Sequence, residues 1–208
     1  MKILGIIGGM SPESTATYYT EINRLVNQKK GGNISAPIVM VSVEFEEIVQ
    51  CQKQSEWQRA GEILAEAGKK LEMIGAEGIV LATNTMHKVA PQIERALSIP
   101  FLHILDATAD AIKSRGLNKV ALLGTKFTMS DNFYRDGLIV RGITPIVPNE
   151  SAQNEIHRII FDELCVGKFL PQSKAFYLDT IEFLRKQGAE GVILGCTEIG
   201  LLVNQSDF

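Results

Sequence analysis

The chain has 208 residues, of which 45% are hydrophobic and 22% charged, with a net charge of −3. That length suits one domain or two small ones and leaves ample chain for a buried core. The balance is that of a folded protein rather than a disordered one. A mildly acidic chain with no basic block argues against nucleic acid and anionic membrane as partners, and no apolar run approaches the roughly 18 residues of a membrane span.

The start, MKILGIIGGMSPES, lacks a secretory cleavage pattern and reads as a first buried strand. Short β-branched runs then alternate with longer amphipathic ones. In chain order, ILGII (3–7), IVMVSV (38–43), GIVLA (78–82), FLHI (101–104), KVALL (119–123), ITPIV (143–147) and GVILG (191–195) read as strands. Most are continuously apolar, as parallel strands covered on both faces are. Helices are expected over 12–28, 55–74, 151–166 and 173–187. In the second of these, Ala60, Ile63, Leu64, Ala67, Leu71 and Ile74 make one buried stripe. The alternation predicts an α/β fold with parallel sheets.

The chain also repeats itself. GAEGIVLATNT (75–85) realigns on GAEGVILGCTE (188–198), and KILGIIGGMS (2–11) echoes NKVALLGTKFTMS (118–130) at a nearly equal offset. Two repeats in the same order predict two homologous, pseudo-symmetric α/β halves. The boundaries expected are 1–97, joined by the chain end at about 200–208, and 98–199. The repeat pairs Thr83 with Cys196, both at the carboxyl ends of strands, where open α/β sheets bind ligands. If the halves face each other across a cleft, the two side chains approach one ligand from opposite sides. Two proton-handling groups on opposite faces of one carbon suit stereoinversion. A thiol is a fitting carrier because a helix N-terminus can lower its pKa, and an apolar helix is expected just after Cys196. Taken alone that cysteine reads as a small buried hydrophobe, but its position at a strand end inside a repeat reverses that reading.

Neighbouring residues read two ways. Ser11 and Pro12 fit a helix start, so Gly8-Gly9-Met10 is either an anion-holding loop or an ordinary turn. It holds neither GxGxxG nor a phosphate loop. Asn84 and Thr85 fit carboxylate binding or helix capping. Glu198 fits an orienting role, toward substrate ammonium or the Cys196 thiol, or a surface acid in a first helical turn. His87, four residues past Thr83, either tunes it electrostatically or is a capping or surface histidine. Cys51 and Cys165 read as structural. Three cysteines without a CxxC and three scattered histidines support neither a disulfide framework nor a metal site, and a reduced, cytoplasmic setting is expected.

GIIGGMSPEST (5–15), NTMHKVA (84–90), IPFLHILDAT (99–108), ALLGTKFTMSDNFY (121–134) and GCTEIGLLV (195–203) together resemble the aspartate/glutamate racemase family over nearly the whole chain. The Thr83 context is most similar to its L-aspartate/glutamate-specific branch, since the wider family has Cys-Asn-Thr-Ala-His where this chain has Thr-Asn-Thr-Met-His. The resemblance implies a cofactor-independent racemase, with Thr83 and Cys196 catalytic and an amino-acid substrate, working as a homodimer. It places Met10 (through its backbone), Gln52, Asn84, Thr85, Thr125, Thr197 and Glu198 in the substrate site. Gln52 stands near where many members carry an Arg for the side-chain carboxylate; Lys168 and Arg135 are possible substitutes but read as surface charges. A hydroxyl is a weaker base than a thiolate, so unequal handling of the L and D forms is expected. Related racemases continue past GCTEIGLLV with another strand and helix. The rival readings are a hydantoin racemase, a one-cysteine decarboxylase, and a non-catalytic amino-acid-binding protein.

Overall fold

Continuous apolar runs become strands wherever helices cover both sheet faces. The computed structural model describes residues 1–207. The first stretch runs β1 (Leu4–Gly8), α1 (Pro12–Lys30), β2 (Ile38–Ser42), α2 (Phe45–Gln54), α3 (Trp57–Met73), β3 (Gly78–Leu81), a 3-10 turn (Thr85–Val89), α4 (Ala90–Ala96) and β4 (Phe101–Leu102). Its strands are parallel in the order β2-β1-β3-β4. The second runs α5 (Ile104–Lys113), β5 (Lys119–Leu123), α6 (Lys126–Ser130), α7 (Asn132–Val140), β6 (Thr144–Ile146), α8 (Glu150–Asp162), a 3-10 turn (Leu164–Val166), α9 (Pro171–Lys186), β7 (Gly191–Leu194) and α10 (Ile199–Leu202). Its strands are parallel in the order β6-β5-β7. All seven expected strands are present, and no described helix is long and apolar enough to cross a membrane.

The chain divides into two compact units, Met1–Ile104 and Leu105 onward. The expected boundary at 97/98 falls too early, because β4 belongs to the first sheet through the pairs Ile79↔Phe101 and Val80↔Leu102. The chain end also differs from its expected place on the first half. Leu202 and Val203 are buried in the second unit's core with Ile160 and Leu184, and Lys174 pairs with Asp207 at 2.7 Å. Each unit has its own core. In the first, Ile7, Leu64, Leu71, Ile79 and Met86 are buried together; in the second, Leu123, Ile156, Tyr177, Leu184 and Ile199 are.

Strand register supports the repeat directly. Leu4 of β1 pairs with Gly78, and Val120 of β5 pairs with Gly191, the same glycine of each GAEG copy. The motif itself is architectural. Gly75 and Gly188, at φ +96° and +94°, end the preceding helices in a backbone region that favours glycine. Glu77 Oε1 accepts the Ile3 amide at 3.1 Å, and Glu190 Oε2 accepts the Asn118 and Lys119 amides at 2.7 and 3.0 Å. In each copy one carboxylate satisfies backbone donors at the start of the central strand, where the ladder has no partner to offer.

Candidate active site

β3 and β7 end in matching loops. The Ala82 amide donates to the Ile7 carbonyl at 2.9 Å, and the Gly195 amide donates to the Leu123 carbonyl at 2.6 Å. In both copies the next residue, Thr83 or Cys196, is the second past the strand and the first past this hydrogen bond, and both are half-buried.

In the first unit Thr83 is held from behind. His87 is buried, with Nδ1 donating to the Thr83 carbonyl at 2.8 Å and Nε2 accepting the Ile104 amide at 3.3 Å. Burial, and secondarily the charge on His103, pull the His87 imidazole down to about 3. Both ring nitrogens are therefore committed in one neutral tautomer. His87 braces the loop and is not a surface residue. The Gln52 amide donates to Met86 Sδ at 3.1 Å, which ties α2 to the 3-10 turn that starts at Thr85, just after Thr83 and Asn84. Asn84 and Thr85 are half-buried beside Thr83. Met10 has its side chain in the core.

The β1–α1 loop matches its reading as a helix start, with Ser11 Oγ accepting the Ser14 amide at 3.2 Å. One of its candidate anion donors is already used. Thr15 Oγ1 accepts the Gly9 amide at 2.8 Å and donates to the Ser11 carbonyl at 2.9 Å. Thr15 also lies so close that a Cβ on Gly8 would fall 2.4 Å from its Cγ2. Sequence reading missed Thr15; the available signal is a hydroxyl residue one turn into a helix behind Gly-Gly.

In the second unit Cys196 Sγ donates to Glu198 Oε2 at 2.9 Å, and Thr197 Oγ1 donates to the same oxygen at 2.8 Å. Glu198 is buried and Thr197 exposed. The expectation of a thiol acidified by a helix N-terminus is overturned. Burial, then the charge of Glu198 and the hydrogen bond to it, push the Cys196 thiol well above its ordinary value. The following helix, α10, has only four residues, too little aligned backbone to offset a buried carboxylate. Glu198 is thus no surface acid, and its contact is with the thiol. Thr125 caps α6, its Oγ1 accepting the Thr128 amide at 3.3 Å. Arg135 and Lys168 are exposed, as their surface reading has it. Cys51 is buried, whereas Cys165 is exposed. Among the described residues no three His, Cys, Asp or Glu side chains converge as a metal site.

The model of the Asp/Glu/hydantoin racemase family matches residues 7–207. The chain belongs to this family. It is 23% identical over 204 residues to the broad-specificity amino-acid racemase RacX of Bacillus subtilis, covering 97% of this chain and 88% of that protein. A Yersinia pestis crystal structure assigned as an Asp/Glu racemase is 50% identical, with a TM-score of 0.95, over all of this chain and 90% of that one. An aspartate racemase homologue from Pyrococcus horikoshii is 40% identical, with a TM-score of 0.86, over 100% of this chain and 90% of that one. The protein is accordingly an isomerase of the amino-acid racemase kind.

The two matching loops differ at each of three positions, with Thr83, Asn84 and Thr85 in one and Cys196, Thr197 and Glu198 in the other. Cys196 has a carboxylate two residues on, in hydrogen-bond contact with its thiol. Thr83 has Thr85 at the equivalent place. A carboxylate there can accept the Sγ proton and leave a thiolate, a strong nucleophile and base. A second hydroxyl offers Thr83 no such base.

Proposed function

We propose that the protein is a cofactor-independent racemase of aspartate and/or glutamate in which Cys196 and Thr83 exchange protons with opposite faces of Cα. The observation that carries this reading is the equivalence of the two residues: each is the first residue past a matching strand-end hydrogen bond, Ala82 to Ile7 and Gly195 to Leu123. The hydrogen-bonded Cys196–Glu198 pair supports a proton-transfer role for the thiol.

In the proposed cycle Glu198 accepts the Sγ proton and the thiolate removes the α-proton from one enantiomer. The electron pair left on Cα is held as a carbanion-like species, and hydrogen-bond donors around the substrate carboxylate stabilise it. Met10 through its backbone, Gln52, Asn84, Thr85, Thr125 and Thr197 are the proposed substrate contacts. Thr83 supplies the proton to the far face; the alkoxide left behind takes a proton from solvent and Glu198 gives its own up to solvent, which restores the starting state. Because a hydroxyl gives up a proton far less readily than a thiol, the Thr83 half-reaction is the slower one.

Following Cα–H by NMR in D2O for each enantiomer of both amino acids tests this. Hydrogen exchange in at least one enantiomer, with conversion to the other, is expected. Absence of exchange in all four would remove the reading.

A further inference from the structure

β5 and β7 are neighbours in the second sheet, and their ends stay together past the last paired residues, Leu123 and Leu194. The Gly195 amide donates to the Leu123 carbonyl at 2.6 Å, and a Cβ on Gly124 would fall 3.3 Å from the Gly195 carbonyl oxygen. Thr125 and Cys196 each stand two residues past the Leu123–Leu194 pair, so the β5–α6 loop lies beside the loop that carries the thiol.

The β5–α6 loop is clasped from α8. The first amides of a helix have no partner within it. At the start of α6, Thr125 Oγ1 accepts the Thr128 amide at 3.3 Å and His157 Nδ1 accepts the Lys126 amide at 3.2 Å. Lys126 Nζ donates to Asn154 Oδ1 at 2.8 Å, and Ser130 Oγ donates to Gln153 Oε1 at 2.7 Å. Gln153, Asn154 and His157 fall on one face of α8. Of the three, only the imidazole titrates. Its ring is half-buried, with centroids 4.7 Å from Phe161 and 6.3 Å from Phe127.

A ring that accepts at Nδ1 is neutral; once protonated it has two donors and no acceptor. The Lys126 amide then loses its partner, and the new cation faces the Lys126 ammonium. Burial, then Lys126, hold the imidazole below its ordinary value, against the pull of Asp162. Lys126 is itself 3.8 Å from Glu150, and Glu155 and Arg158 of α8 pair with each other.

We propose that neutral His157 is a positioning residue that holds the β5–α6 loop, and Thr125 with it, beside Cys196, and that protonation of the ring releases the loop and weakens substrate binding. This rests on the reading of Thr125 as a substrate contact.

The test measures Kd by calorimetry for each enantiomer of aspartate and glutamate, from pH 8 down through the titration of the His157 ring, which NMR follows together with the Lys126 amide. His157→Phe keeps a ring and loses the acceptor, whereas His157→Asn offers Oδ1 as an acceptor that cannot be protonated. In the wild type, Kd is expected to rise about fivefold in step with the ring titration and with a shift of the Lys126 amide, the scale of one lost hydrogen bond. His157→Phe should bind about fivefold more weakly at every pH, with kcat at saturation little changed. His157→Asn should keep the wild-type Kd of pH 8 throughout. A wild-type Kd that stays constant while the ring titrates, or a His157→Asn variant that weakens with acid as the wild type does, would overturn the proposal. Binding is read without turnover, so the expected Kd pattern with no Cα–H exchange would remove the racemase reading and uphold this one, whereas exchange with a constant Kd would do the reverse.

Discussion

In the proposed mechanism the chemistry of Cys196 turns on a single carboxylate oxygen. Glu198 Oε2 accepts from both the thiol and Thr197, so the half-buried sulfur rests as a protonated donor. Replacing Cys196 by Ala is expected to cut racemisation at least about 10²-fold, the lower range for acid–base groups. Glu198→Gln removes the negative charge that opposes the thiolate. Alkylation of Cys196 then moves to lower pH while racemisation falls, because the thiol has lost its proton acceptor; a fall in rate with an unmoved profile would contradict the assignment. The sequence exposed these candidates through the repeat and the resemblance. It did not expose the direction of the thiol's shift, because that depends on how deeply Cys196 and Glu198 are buried together. The same limit applies to His87, whose spacing from Thr83 was visible but whose burial was not. His87 sits at about 3 in the fold against 6.5 in an open chain. Between those values the unfolded chain binds the proton and the folded chain does not. Its contribution to stability is present in full above pH 6.5 and is lost as pH falls toward 3, at up to about 1.4 kcal/mol per unit. Chemical denaturation of His87→Gln across pH 3–7 should give a shallower slope than wild type.

Helix ends and strand starts explain why the GAEG motif occurs twice. Its first glycine adopts positive φ at each helix end, and its glutamate accepts amides at the start of β1 or β5. Gly75→Ala forces a side chain into that conformation, with open space around it apart from Ile3 Cδ1 at 3.9 Å. The expected cost is the backbone alone, about 1–2 kcal/mol in denaturant titration, with kcat unchanged. All seven strands were legible as apolar runs, a trace that parallel strands covered on both faces leave most fully, as the central strands β1 and β5 do here. The tail was not: Leu202 and Val203 are apolar wherever they pack, and only the folded chain assigns them to the second unit's core.

At the scale of the whole molecule, the two units repeat one topology, β2-β1-β3 and β6-β5-β7, with an unequal pair of groups at the equivalent loop positions. Racemisation has an equilibrium constant of one in achiral solvent, so kcat/KM must be equal for the two enantiomers. The inequality between thiol and hydroxyl therefore appears as kcat and KM that differ between L and D in the same proportion, measurable by initial rates in both directions. Thr83→Cys is expected to bring the two kcat values closer together.

The central claim is that two unequal groups serve opposite faces of one carbon. Deuterium exchange resolves them. In D2O, one enantiomer of the accepted amino acid should lose its Cα–H signal faster than its optical rotation decays, because Cys196 returns a solvent-derived deuteron to the face it deprotonates before Thr83 delivers one to the other. Thr83→Ala should retain that exchange while inversion collapses. Loss of exchange and inversion together in Thr83→Ala, or equal rates of exchange and inversion for both enantiomers in the wild type, would contradict it.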